Sequence, residues 1–182
     1  ARMFWGGQRT GHRDIAWRLH THFEILRGAP TKVTLTEPQS AGEAHERQVL
    51  KRSLEPNRCY VTDRGYQAAW LFNDIVDAGS SYVCRIQEKG RFEIEREYEL
   101  SSEARKQGIV QDAVMKPTGD RGGKMNHPYR VITLEITPHV KRSGHKGDAG
   151  PPSKGLLRIA TNLLDVPAEI VALLFRYRWQ IE

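Results

Sequence analysis

Residues 58–86 constrain the fold more than any other stretch. Arg58–Asp63 (RCYVTD) is short and mostly apolar, with Pro56-Asn57 before it and Gly65 after it. A run of that kind reads as a strand buried on both faces. Tyr66–Ala78 then places Ala69, Phe72, Ile75 and Val76 on one helical face, and Gly79 stands where a helix would close. Ser81–Ile86 (SYVCRI) returns as a strand. Strand, helix and strand with a tight first turn is a βαβ unit.

The flanking sequence is read around that unit. Trp17–Leu26 and Lys32–Thr36 (KVTLT) predict two antiparallel strands joined at Gly28-Ala29-Pro30. Ser40–Leu54 predicts a polar, weakly amphipathic helix. From Gln87 the style changes. Residues 91–100 (RFEIEREYEL) and 130–137 (RVITLEIT) alternate, which predicts antiparallel strands wet on one face. Gly- and Lys-rich loops lie between them, and 141–155 (KRSGHKGDAGPPSKG) reads as a solvated loop. Leu156–Leu163 predicts another strand. Asp165 is placed to cap a last helix with Pro167 in its first turn. The reading is a mixed α/β core of 1–86 and 156–182, interrupted by a β-rich insertion of 87–155.

Charge points to a partner. Among 182 residues, 28 Lys and Arg face 22 Asp and Glu, a formal balance of +6. A basic chain favours polyanions, nucleic acid first. No apolar run approaches the ~18 residues of a membrane span, and no secretory signal is visible. Cys59 and Cys84 match no zinc spacing and read as reduced core residues of a cytoplasmic protein. The chain opens without Met and stops at Glu182 inside a helical pattern, so both ends are expected to be the edges of a fragment.

Two acidic positions stand out. Asp63 ends a strand just before a Gly turn and a helix, the edge of α/β sheets where ligands collect. It also reads as a helix N-cap, or as a partner of Arg64. In the last helix, Ile170, Leu174, Tyr177 and Ile181 are expected to face the core. Val171, Phe175, Arg178 and Glu182 form a neighbouring row on its shoulder. Glu182 there could reach a cleft, or simply pair with Arg178 at i,i+4.

Residues 61–72 (VTDRGYQAAWLF) and 160–182 (ATNLLDVPAEIVALLFRYRWQIE) together resemble transposases of bacterial insertion sequences, the family-four type with the YREK signature. Phe175 stands at the signature's Tyr place, Arg178 at its Arg place and Glu182 at its Glu place; the Lys place lies beyond Glu182. The resemblance implies an RNase H-like fold with a β-rich insert before the last helix. It implies Asp63 and Glu182 as catalytic metal ligands, and DNA contacts from Arg178, Phe175, Arg64, Tyr66 and Trp179. Two divalent ions, Mg²⁺ or Mn²⁺, would be held about 4 Å apart by two Asp and one Glu for in-line displacement at phosphorus. Carboxylate oxygens suit such ions. The implied partners are double-stranded transposon ends and target DNA, with a homodimer on DNA left open.

This sequence departs from the pattern in two ways. The family's first Asp is expected upstream of the first residue, with Asp14 the substitute if it is not, so the chain alone is expected to be inactive. Phe175 lacks the Tyr hydroxyl. Two other readings stand beside the transposase: an inactive DNA-binding remnant of a decayed element, and a metal-dependent nuclease of the same fold. His20 with His22, and His139 with His145, are not read as metal sites, since no third ligand stands at a useful spacing. The Glu93, Glu95, Glu97 and Glu99 row reads as a solvated strand face.

Overall fold

The computed structural model of the chain describes residues 17–37, 42–88, 90–118, 123–136 and 155–178. Asp14, His139, His145, Trp179, Ile181, Glu182 and residues 141–154 lie outside the described residues.

Strands β1 (Arg18–Glu24) and β2 (Ala29–Thr36) form an antiparallel two-stranded sheet, with a register shift at His22/Phe23. Helix α1 (Glu46–Arg52) is shorter than 40–54, and a 3-10 turn at Gly42–Ala44 precedes it. Next comes the βαβ unit: β3 (Cys59–Thr62), a 3-10 turn (Arg64–Tyr66), α2 (Ala69–Asp77) and β4 (Ser81–Ile86), with β3 and β4 parallel. Gly79 ends α2 at φ +71°, a conformation that favours glycine. Strands β5 (Phe92–Glu97), β6 (Ile109–Pro117), β7 (Arg130–Glu135) and β8 (Leu156–Thr161) follow. Helix α3 (Ser102–Lys106) lies between β5 and β6, and α4 (Ala168–Tyr177) comes last.

The six strands β3 to β8 make one mixed sheet in the order β3-β4-β8-β7-β6-β5. Period-2 alternation sends neighbouring side chains to opposite faces. Tyr82, Cys84, Val131 and Ala160 meet Leu71, Phe72 and Ile75 of α2. Val83, Ile132 and Ile159 meet Val171, Ala172 and Phe175 of α4. Phe72 and Tyr82 stack with ring centroids 4.2 Å apart. This is a sheet between helical layers, the α/β architecture expected of an RNase H-like fold. No helix among the described residues is long and apolar enough to cross a membrane.

Several expectations change. β3 is at a sheet edge, with Cys59 exposed and Tyr60 to Thr62 half-buried, so it is not buried on both faces and Cys59 is not a core residue. β4 and β7 are buried on both faces. β7 is central in the sheet, with Val131 packed on the α2 side and Ile132 and Leu134 on the α4 side, so both faces of its alternating sequence are covered. β6 occupies a stretch whose sequence reads as loop. Its apolar residues are not alternate because it too is largely buried, and Asp112 breaks the run.

Candidate active site

Asp63 leaves the C-terminal end of β3 in extended conformation. Its Oδ1 accepts 2.8 Å from the Arg64 backbone N–H, and its carbonyl accepts 2.9 Å from the Tyr66 N–H. The capping role therefore holds, for the 3-10 turn before α2. Arg47 Nε of α1 donates 2.7 Å to the Gly65 carbonyl and ties the turn down. At Gly65 a Cβ would sit 2.9 Å from Glu46 Oε1, so glycine lets that carboxylate approach. Below the turn, Cys84 Sγ lies 3.2 Å from the Arg85 carbonyl and 3.5 Å from the Asp63 carbonyl, and its one S–H can serve either. Burial pushes the Cys84 thiol up to about 12, which keeps it a protonated donor.

Helix α4 starts behind Pro167, whose carbonyl accepts from the Ile170 and Val171 N–H groups. Asp165 is exposed and makes no cap; the N-cap position is Pro167. The stripe assignment also changes. Ile170 is 44% exposed, whereas Val171 and Phe175 are 0% and 2% exposed. The row read as a shoulder is thus the inward row, because Ala168 and Ala172 beside it let α4 settle closely on the sheet. An i, i+4, i+7 row through 171 and 175 continues to Arg178.

Arg178 is thereby carried to Asp63. Its Nη2 lies 3.8 Å from Asp63 Oδ2, with the Arg178 side chain 14% exposed and that of Asp63 46%. At this distance the contact is an ion pair, too long for a hydrogen bond. The guanidinium also sits 5.2 Å from the centroid of the buried Phe175 ring. Arg64 is exposed and Tyr66 half-buried on the turn next to Asp63. Residues from β3, the following turn and α4 therefore meet at one sheet end, leaving a carboxylate half open to solvent beside arginines.

Among the described residues, no group of three or more His, Cys, Asp or Glu is placed to hold a metal ion. Asp63 offers hard oxygen ligands, but alone it does not complete a divalent site. His20 Nε2 instead pairs with Thr36 Oγ1 at 3.0 Å, and His22 Nε2 with Ser53 Oγ at 3.2 Å. Burial lowers the pKa of both, the nearby Arg18 acting in the same direction on His20 and Lys32 on His22.

The sequence reading missed a second polar cluster. Arg130 and Asp112 form a buried pair, and Arg130 also bonds the chain between β8 and α4. Asp112 inside an otherwise apolar run was the available signal. Asn162, within the 160–182 segment, carries backbone contacts of its own. Its Oδ1 accepts from the Tyr82 N–H at 3.0 Å, and its Nδ2 donates to the Ser80 carbonyl at 3.3 Å. Thr161 Oγ1 donates 2.7 Å to the Tyr82 carbonyl.

A family model described as the transposase DDE domain matches residues 2–182. The chain belongs to the transposase DDE domain family. A search of curated proteins returns no match. Membership in this family implies action on DNA and metal-dependent catalysis. The match spans both segments that meet at Asp63 and Arg178.

Proposed function

We propose that this domain cuts DNA at the ends of an insertion sequence and joins them to target DNA, as a transposase of the YREK-signature group. The observation that carries the reading is the Asp63–Arg178 contact. It brings together, from distant parts of the chain, the two segments on which the resemblance rests. Asp63 is the carboxylate at the open sheet end, and Glu182, four residues beyond Arg178, is the second. With a third carboxylate they would hold Mg²⁺ or Mn²⁺, which when bound activates the attacking oxygen and stabilises the leaving one.

The chain's own residues then have separable tasks. Arg178, with Arg64 beside it, binds the phosphates of the transposon end. Arg178 stands at the end of α4 with its guanidinium near the Phe175 ring, and a guanidinium is the group suited to a phosphate. Tyr66 and Trp179 are assigned to the same DNA surface. Phe175 is packed under Arg178, where the family's Tyr would add a hydroxyl toward phosphate. Residues 87–155 are assigned as an insertion into the core of 1–86 and 156–182.

The test is strand transfer by the protein that contains this chain. It is given duplex DNA ending in the element's terminal repeats, with Mg²⁺ or Mn²⁺. End-specific nicking followed by joining supports the reading, and Asp63→Asn or Glu182→Gln should abolish both. Hydrolysis without joining would favour a nuclease. DNA binding without either reaction would favour an inactive remnant.

A further inference from the structure

Arg130 opens β7 and is 3% exposed; Asp112 of β6 is 4% exposed. Nε and Nη2 of Arg130 donate to Oδ1 and Oδ2 of Asp112 at 2.8 and 2.7 Å, a bidentate pair. The remaining Nη1 donates 2.6 Å to the Leu163 carbonyl and 2.6 Å to the Val166 carbonyl, with Leu164 O at 3.3 Å. The Tyr98 ring lies against the guanidinium, its centroid 4.8 Å away. One side chain of β7 thus grips the segment that leads from β8 into α4.

Stability alone does not explain an ion pair at that place. Buried pairs are commonly replaced by apolar side chains of similar volume with no loss of stability. The geometry suits placement better. Leu163–Val166 forms no strand or helix, and its inward carbonyls are collected by a single donor. A cavity of about 480 Å³ borders Arg130, Asp112 and residues 164–169 on one side, while Leu163 and Val166 pack against the core on the other, so apolar packing holds only one side of the segment. Upstream, Asn162 and Thr161 are tied to β4. Downstream, α4 runs ten residues, roughly 15 Å, toward Arg178. Over that length a tilt of about 10° at its start moves the far end about 2.6 Å. The Asp63–Arg178 separation is only 3.8 Å.

We infer that Arg130, held by Asp112, is a positioning residue: it sets where α4 begins, and through α4 where the Arg178 guanidinium stands against Asp63. Its bearing on DNA rests on the proposed function above. Lysine cannot do the same, because a point ammonium cannot fork onto Asp112 and bond two carbonyls together.

The test compares wild type, Asp112→Leu/Arg130→Met and Arg130→Lys in the protein that contains this chain. The first readout is hydrogen exchange of the amides of 163–171, which is independent of DNA. The second is the effect of Arg178→Ala on affinity for end DNA in each background, by fluorescence anisotropy. The double variant should fold, at a melting temperature lowered by the two carbonyls left without their donor, and exchange at least tenfold faster over 163–171. Arg178→Ala should weaken binding several-fold in wild type and less than twofold in the double variant, where Arg178 is already misplaced. Unchanged exchange and an undiminished Arg178 effect in a folded double variant would overturn the inference. If the double variant does not fold, Arg130→Lys decides in the same way: faster exchange supports the inference and wild-type exchange overturns it. If Arg178→Ala has no effect in wild type, the DNA role assigned to Arg178 fails. The exchange result then still decides whether Arg130 positions α4.

Discussion

Replacing Asp63 by Asn should tighten metal-free DNA binding while removing catalysis. The substitution keeps the side-chain oxygen that caps the Arg64–Tyr66 turn, and Asn is as good an N-cap as Asp. The lost ion pair has one partner 46% exposed and a 3.8 Å separation, so its contribution to stability is at most ~1 kcal/mol. The fold therefore survives. What changes is the field at Arg178. A phosphate bound to that guanidinium would stand roughly 6 Å from the Asp63 carboxylate, and two like charges at that distance in water repel by about 0.7 kcal/mol. Removing one of them should lower Kd about threefold at low salt. The assay is fluorescence anisotropy with a labelled end duplex in EDTA, with circular dichroism to confirm folding. Affinity that is unchanged or weaker in Asp63→Asn would mean that no phosphate sits at Arg178, and would refute the assignment of this sheet end to DNA.

Phe72→Ala should cost about 3–5 kcal/mol in urea unfolding, because Phe72 is 2% exposed and stacked on Tyr82; a loss under ~1 kcal/mol would disprove that packing. Stability should fall on acidification below pH 6.5. Burial lowers the pKa values of His20, His22 and His127, so between their folded values and 6.5 the unfolded chain binds more protons. Their stabilising effect is full above 6.5 and is lost as pH falls through the folded values. His127→Gln should flatten that slope in thermal melts at pH 5 to 7, and an identical slope would remove His127 from the account. DNA affinity should decline linearly in log salt, and Arg178→Ala should make the slope shallower by about 0.9 if Arg178 meets one phosphate; identical slopes would exclude that contact.

The local signals that the sequence carried best were those of the βαβ unit. Its helix face of Ala69, Phe72 and Ile75 is buried in the structure, and Gly79 closes the helix. Burial per strand was harder to read. RVITLEIT alternates in a way that suggests one wet face, yet Arg130, Val131, Ile132, Thr133 and Leu134 are all buried. Alternation reports side-chain polarity, whereas the helices that cover each face of a strand are a property of topology. The same limit hid β6, whose order beside β7 can be seen only once the sheet is assembled.

At the site, Asp63 was legible because a strand end followed by a Gly turn is a local pattern. Arg178 was legible through its motif, but the face of α4 was not. Ile170, Leu174 and Tyr177 make a more apolar row than Val171, Phe175 and Arg178, so the pattern points to the wrong face. What decides between them is Ala168 and Ala172, small enough to admit the sheet on their side, so that Val171 and Phe175 bury while Ile170 stays 44% exposed. That choice turns Arg178 inward toward Asp63. The grip of Arg130 on Leu163 and Val166 belongs to another level again. Its partners come from three separate parts of the chain, and no spacing along one element encodes them. Asp112 within an apolar run says only that some cation must be near, since an unpaired carboxylate there would be costly to bury. The structure supplies that cation from β7, within the stretch read as an insertion. The position of α4 thus depends on residues far from either motif, and substitutions at Arg130 or Asp112 are expected to reach the Asp63–Arg178 end of the sheet without touching it.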